Sequence, residues 1–155
     1  LSLEEIIIAE VFWSATKSVG AATIMLTVLG VLGYVALPSG LLLIPVALVG
    51  GLAFGAIGMF FTGVVPSIDM FNLPIFLFIT PMFLFSGTFF PISNLPGWAQ
   101  PAALAFPLYH LAELSRRFSI GTSETAPIIS LIYLILFFLF FIFLALSAMR
   151  RRLIQ

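Results

Sequence analysis

Polar and apolar positions along this chain do not alternate with the short periods of a soluble fold. They separate into long uncharged blocks. No charged side chain lies between Lys17 and Asp69, between Asp69 and Glu113, or between Glu124 and Arg150. An Asp, Lys or Arg at the middle of a bilayer helix costs roughly 2.5–3.5 kcal/mol on insertion scales, and gaps of this kind are what that cost selects. About 20 consecutive apolar residues cross the hydrocarbon core as a helix, and four segments qualify. The first runs over 19–37 and stops at Pro38-Ser39-Gly40, a turn signal. The second runs over 41–65 and stops at Pro66-Ser67-Ile68-Asp69. The third covers 71–90 and stops near Pro91; the fourth covers 126–149 and ends in Arg150-Arg151-Arg152.

The one substantial connection is 92–125. Its apolar stretch, 95–114, is broken by Pro96, Pro101 and Pro107 and carries Trp98 and Tyr109. Interfacial aromatics with repeated prolines fit short helices that dip into the membrane or lie on it, in preference to a fifth span. Non-helical backbone is tolerated at that depth only against protein or water. The expected fold is therefore an all-α integral membrane domain over 1–155. It has four transmembrane helices, with short re-entrant or external helices between the last two.

Composition agrees: 62% of the 155 residues are hydrophobic and only 8% charged, against roughly 25% charged in soluble domains. Six basic and six acidic residues cancel, so net charge points to no nucleic-acid partner and none is expected. The lipid bilayer is the partner the composition demands. With no cysteine, disulfides and thiolate metal sites are excluded. No signal-peptide pattern opens the chain. It begins at Leu1 rather than Met, and its opening reads like the middle of a protein, so the sequence is expected to be the C-terminal part of a longer one. The arginine triplet after the last span puts the C-terminus in the cytoplasm by the positive-inside rule. Four crossings then put Lys17 and the N-terminal segment inside as well. Arg116 and Arg117, on the opposite side, argue mildly against this.

Within the second span, Ala47, Gly51 and Gly55 recur every four residues, a small-residue ridge that lets helix backbones approach closely in lipid. It serves packing inside one subunit or contact with a second. In the third span, Pro74 and Pro81 each remove a backbone hydrogen bond and bend the helix.

Catalytic chemistry has little to work with, and no catalytic residue is assigned. His110 is the only histidine. With Glu113 it forms at most half of a metal site, with no second pair to complete it, so no metal is expected. His110, Glu113 and Arg117 read as a polar helix face, with Glu113 and Arg117 a favourable i,i+4 pair. Ser86 in Phe85-Ser86-Gly87 does not match a strained nucleophile turn. The only lysine, Lys17, stands in Thr16-Lys17-Ser18 and lacks the glycine-rich lead of a phosphate-binding loop. Any ATP-driven work must come from another polypeptide. The spans also lack the buried acids typical of proton-coupled carriers, which weakens a secondary-transporter reading.

Several elements fall in order over 82–121. They are Phe85-Ser86-Gly87, Phe90-Pro91, Leu95-Pro96, Pro107-Leu108 with His110, and Glu113-Leu114 with Arg116 or Arg117; Pro66-Ser67 precedes the third span. This pattern resembles the signature of ABC-2 type transport permeases. Within them it is similar to nodulation lipo-oligosaccharide and polysaccharide exporters and to daunorubicin-resistance permeases. The resemblance implies six helices per subunit, of which these four are the third to sixth. It implies a homodimer or heterodimer of permease subunits in a bacterial inner membrane, and two ABC ATPase subunits docked on the cytoplasmic side. ATP and magnesium belong to that partner; no cofactor is bound by this chain. Residues Ser86, Gly87, Phe90, Pro91, Pro107, His110, Glu113 and Arg117 carry the family signature and the external gate region. Ser2-Leu3-Glu4-Glu5-Ile6-Ile7 resembles the segment entering the third helix, which makes Leu3, Glu4, Glu5 and Ile6 the coupling segment for the ATPase. Independently, Ser2 can cap a helix whose positive end Glu4 and Glu5 complement. The implied function is the membrane subunit of an exporter for an amphipathic, lipid-linked or glycan substrate or a hydrophobic drug. The phenylalanines of the third span agree with such a cargo. The alternatives are a non-transporting membrane scaffold, for which the glycine ridge is the functional surface, and a secondary transporter.

Overall fold

A computed structural model describes residues 2–35, 37–121 and 125–153. Leu1, Glu124 and Gln155 lie outside the described residues. Every element among those described is helical, and four helices are long and apolar enough to cross a membrane.

Helix α1 spans Leu3–Val31. A capping box starts it: the Glu5 amide donates to Ser2 Oγ at 3.3 Å, and the Ser2 amide donates to Glu5 Oε2 at 2.8 Å. The sequence pattern set the first span at 19–37, but the helix begins and ends earlier. Ile7, Val11 and Ala15, one turn apart, are all buried, so the charged opening belongs to the same helix as the span. Its 29 residues reach roughly 43 Å at 1.5 Å per residue, more than the ~30 Å hydrocarbon core. The excess carries Glu4, Glu5 and Glu10. The helix stops at Gly33, not at Pro38. Gly33 has φ 76°; its amide donates to Gly30 O and that of Tyr34 to Leu29 O at 2.9 Å. This pair of bonds is a Schellman motif, and the left-handed residue it requires is cheapest as glycine.

After a single turn at Leu37–Gly40, helix α2 spans Leu43–Val64. It ends where Val65 turns extended, at φ −79° and ψ 122°, as a residue before proline prefers. Arg152 closes this end: its guanidinium donates to the carbonyls of Thr62, Val65 and Pro66.

The third span, α3, covers Ile68–Phe85 and is not a regular helix. It passes through a 3-10 turn at Ile68–Phe71, an α turn at Asn72–Pro74, a π turn at Ile75–Ile79 and a final α stretch at Thr80–Phe85. Pro81 has no N–H and its ring crowds the carbonyl one turn back. The wider π turn absorbs this, and Thr80 closes it by donating Oγ1 to Ile75 O at 3.0 Å. The helix stops at Phe85, short of the expected boundary at 90, because Gly87 turns left-handed at φ 71°.

Two short helices follow, α4 at Ala99–Leu104 and α5 at Pro107–Ile120, before the last span, α6, at Pro127–Leu153. Pro107 sits at the first helical position of α5, where its missing N–H costs nothing. Helix α2 is the centre. It meets α5 and α6 in a cluster of Val46, Leu114 and Leu134, and α6 again through Ala56, Ile57 and Phe141. Glu4 on α1 forms an ion pair with Arg150 on α6, so the start of α1 and the end of α6 lie at the same end of the bundle. The α4–α5 cap lies at the other.

Candidate functional site

The residues that the sequence singled out fall into three places. The first is the cap. Ser86 ends α3 fully buried, with Oγ donating to Phe83 O at 2.7 Å and accepting from the Thr88 amide at 3.2 Å. Those bonds hold the turn whose left-handed residue is Gly87. From α5, Arg116 reaches across to donate to the Gly87 carbonyl. Its other nitrogen is 2.8 Å from Glu113 Oε1, and Glu113 is 1% exposed. The expected i,i+4 partner, Arg117, points outward instead. Both arginines lie one turn from Glu113, but only Arg116 also finds the Gly87 carbonyl. Pairing on that side gives it two acceptors. His110, Glu113 and Arg117 therefore do not share one polar surface: the first two are buried and the third is exposed.

His110 ties the cap to the last span. Its Nε2 lies 2.9 Å from Leu104 O, and its Nδ1 lies 3.2 Å from Ser130 Oγ. A carbonyl only accepts, so Nε2 carries the proton and Ser130 donates to Nδ1. Ser130 then accepts from Thr125 at 3.2 Å. The imidazole stacks on Tyr133, centroids 4.0 Å apart, and Tyr133 donates to Ala105 O. Burial holds the imidazole pKa below its ordinary value, outweighing the Leu104 bond and the Glu113 charge, which raise it. With both ring nitrogens engaged, the site is a structural lock. Buried Pro107 and Tyr109 complete it, Tyr109 packing with Ile92 and Ala103. Phe90 and Pro91 lie exposed on the loop outside it. Ser130 and Tyr133 were missed from sequence; two polar residues a turn apart in an otherwise apolar span were the available signal.

The second place is the α1–α2 seam. A Cβ on Gly51 would stand 2.6 Å from Ala15 Cα, and one on Gly55 would stand 3.1 Å from Ser14 Cβ. Ser18 Oγ donates to Ala47 O at 2.9 Å. The ridge of Ala47, Gly51 and Gly55 thus faces α1 of the same chain. The third place is the start of α1. Leu3 is half-buried, whereas Glu4, Glu5 and Ile6 are exposed. They form the projecting end of a long helix rather than a separate short one.

This geometry defines a class: a multi-pass helical membrane domain in which a polar-locked cap fills the gap between the last two spans. Residues 1–120 match the sequence profile of the ABC-2 type transporter. The chain belongs to that family. It is 38% identical over 116 residues to nodulation protein J of Sinorhizobium fredii (strain NBRC 101917 / NGR234), covering 75% of this chain and 44% of that protein. It is 39% identical over 121 residues to nodulation protein J of Rhizobium leguminosarum bv. trifolii, covering 78% and 46%. The nodulation protein J of Neorhizobium galegae is 32% identical over all 155 residues, 59% of its own length. The chain spans about half the length of the curated relatives it matches. No solved structure matches it.

Proposed function

We propose that the chain is the membrane-spanning part of an ABC exporter's permease subunit, powered by a separate ATPase subunit and paired with a second permease subunit. Its cargo is amphipathic: a lipid-linked or glycan substrate, or a hydrophobic drug. It is a transporter subunit rather than an enzyme. Both chain ends face the cytoplasm, and Leu3, Glu4, Glu5 and Ile6 seat against the ATPase.

The observation that carries this reading is the family match, which runs from the start of α1 through the end of α5. The arrangement supports it physically. The segment assigned to coupling is the exposed end of a rigid helix, and its inner half is cemented to α2 through Gly51 and Gly55. A push on Glu4 and Glu5 therefore moves the α1–α2 pair as one body. The scaffold alternative loses its main surface, since the glycine ridge is used within the chain.

The test is co-purification of the ATPase with the full-length chain, followed by transport and hydrolysis with Glu4→Arg and Glu5→Arg together. Hydrolysis uncoupled from transport, with membrane insertion intact, is the expected result. Unchanged transport overturns the docking assignment, and an ATPase that never co-purifies overturns the permease reading.

A further inference from the structure

Where α2 and α6 run out together, at the end that holds the start of α1, they leave an open cleft of about 580 Å3. That lies within the range of small-ligand pockets, about 300–1,000 Å3. Phe60, Val64 and Leu144 give it an apolar floor; Ser147, Arg151 and Arg152 line its polar rim. Arg152 is already bound to three carbonyls at the end of α2, which offset part of its charge but supply no formal anion. Arg151 makes no hydrogen bond or ion pair among the described residues. The two described ion pairs, Glu113 with Arg116 and Glu4 with Arg150, give neither rim arginine a carboxylate. The cleft therefore joins two cations that have no carboxylate partner among the described residues to an apolar trough at the boundary of a bilayer. A free anion would satisfy only the rim and a neutral lipid only the trough. Basic pockets between membrane helices take acidic lipid headgroups for this reason.

We propose that the cleft holds one anionic phospholipid, its phosphate on Arg151 and Arg152 and an acyl chain along Phe60, Val64 and Leu144. This lipid is a bound structural component, distinct from any cargo. It fills the cleft beside the Gly63–Ala148 contact, where Arg152 reaches from α6 to the end of α2.

The full-length chain is reconstituted in phosphatidylglycerol and phosphatidylcholine, extracted into detergent, and its retained lipids are counted by native mass spectrometry. One phosphatidylglycerol per chain should survive washing that strips phosphatidylcholine. Arg151→Gln should cut that retention about fivefold, the equivalent of the ~1 kcal/mol that one basic side chain contributes near a membrane surface. Ser147→Glu places a carboxylate one turn from Arg151, where an i,i+4 pair forms; it should abolish retention while leaving the helix folded. Lys17→Gln, a lost cation elsewhere, should change nothing. Inorganic phosphate should not displace the lipid, because it lacks the chain that fills the trough. Equal retention of phosphatidylcholine, unaltered retention in Arg151→Gln, displacement by phosphate, or a full-length chain that retains no lipid would each overturn the proposal. The count needs no transport, so its failure leaves the permease reading untouched.

Discussion

Gly51→Ala adds one carbon at the tightest point between α1 and α2. That carbon would stand 2.6 Å from Ala15 Cα and 2.8 Å from Ser18 Cβ. Carbon pairs rest at about 3.5–4.0 Å, so the helices must part locally by about 1 Å. The obstacle is backbone, which cannot rotate away. Overpacking of this kind costs about 1–3 kcal/mol. Parting also stretches the Ser18–Ala47 bond, now 2.9 Å, and a hydrogen bond between membrane helices is worth about 0.6 kcal/mol on average. Against this, alanine is favoured over glycine in a helix by about 1 kcal/mol. Gly58→Ala isolates that last quantity, because nothing lies within 4 Å of the added carbon there. Gly55→Ala is intermediate, at 3.1 Å from a side-chain carbon. Unfolding free energies of the three variants, measured in bicelles by steric trapping, should rank Gly58→Ala above Gly55→Ala above Gly51→Ala. The outer two should differ by about 1–3 kcal/mol, since propensity cancels between them. Equal stability of Gly51→Ala and Gly58→Ala would refute the assignment of the ridge to the α1–α2 seam.

Arg116→Ala should destabilise the cap by about 1–3 kcal/mol, the range for losing charge-assisted bonds, and should raise protease cleavage between Gly87 and Leu95. The value stays below that of a fully buried pair because Arg116 is one-third exposed. His110 has a folded pKa below its unfolded one, so the unfolded state binds the extra proton. Its contribution is therefore present above the unfolded value and lost as pH falls; thermal unfolding between pH 8 and 5 should show this, and His110→Gln should flatten it. Glu4 and Arg150 are about half exposed, so a double-mutant cycle on them should give a coupling under about 1 kcal/mol. A larger coupling would mean that Glu4 variants disturb the fold before they disturb any partner.

The spans and the broken connection were legible because a bilayer penalises charge over a fixed length, and that penalty shows in any window of the sequence. Span ends were less legible. The expected stop at Pro38 gave way to a Schellman turn at Gly33, since a glycine inside an apolar run reads equally as packing, flexibility or terminus. The cap of α1 at Ser2 was legible, but its continuity with the first span was hidden, because Glu4, Glu5 and Glu10 look like solvent while Ile7, Val11 and Ala15 make the same turns a packed helix. At the cap, Ser86, Gly87, His110 and Glu113 could be picked out, but not their partners. Choosing Arg116 over Arg117 depends on a carbonyl 29 residues away, and capping of α2 by Arg152 depends on one 90 residues away. No local pattern encodes either.

The two halves of the molecule are held by different forces, and the difference falls on α3. Between α1, α2 and α6 the bilayer supplies no hydrophobic drive, because lipid tails are as apolar as leucine; close approach through small residues must supply the association. Helix α3 contains no glycine or alanine from Ile68 to Phe85 and cannot join in that way. Phe76 and Leu77 remain 70% and 75% exposed. Its attachments include Phe78, which meets Phe61, Phe106 and Phe141, Phe85, which stacks on Phe106 and packs against the cluster of Ile92, Ala103 and Tyr109, and the clamp of Arg116 on Gly87 at its end. The π turn and Pro81 have already removed part of its internal bonding. Helix α3 is therefore held mainly by aromatic and cap contacts, not by the small-residue packing that joins α1 to α2. Its end meets the helix that carries Arg116, Glu113 and His110 through the Gly87 carbonyl and through Phe85 packed on the Tyr109 cluster. The polar lock at the cap is the point where α3, through Arg116, and α6, through His110 and Ser130, are tied to one short helix.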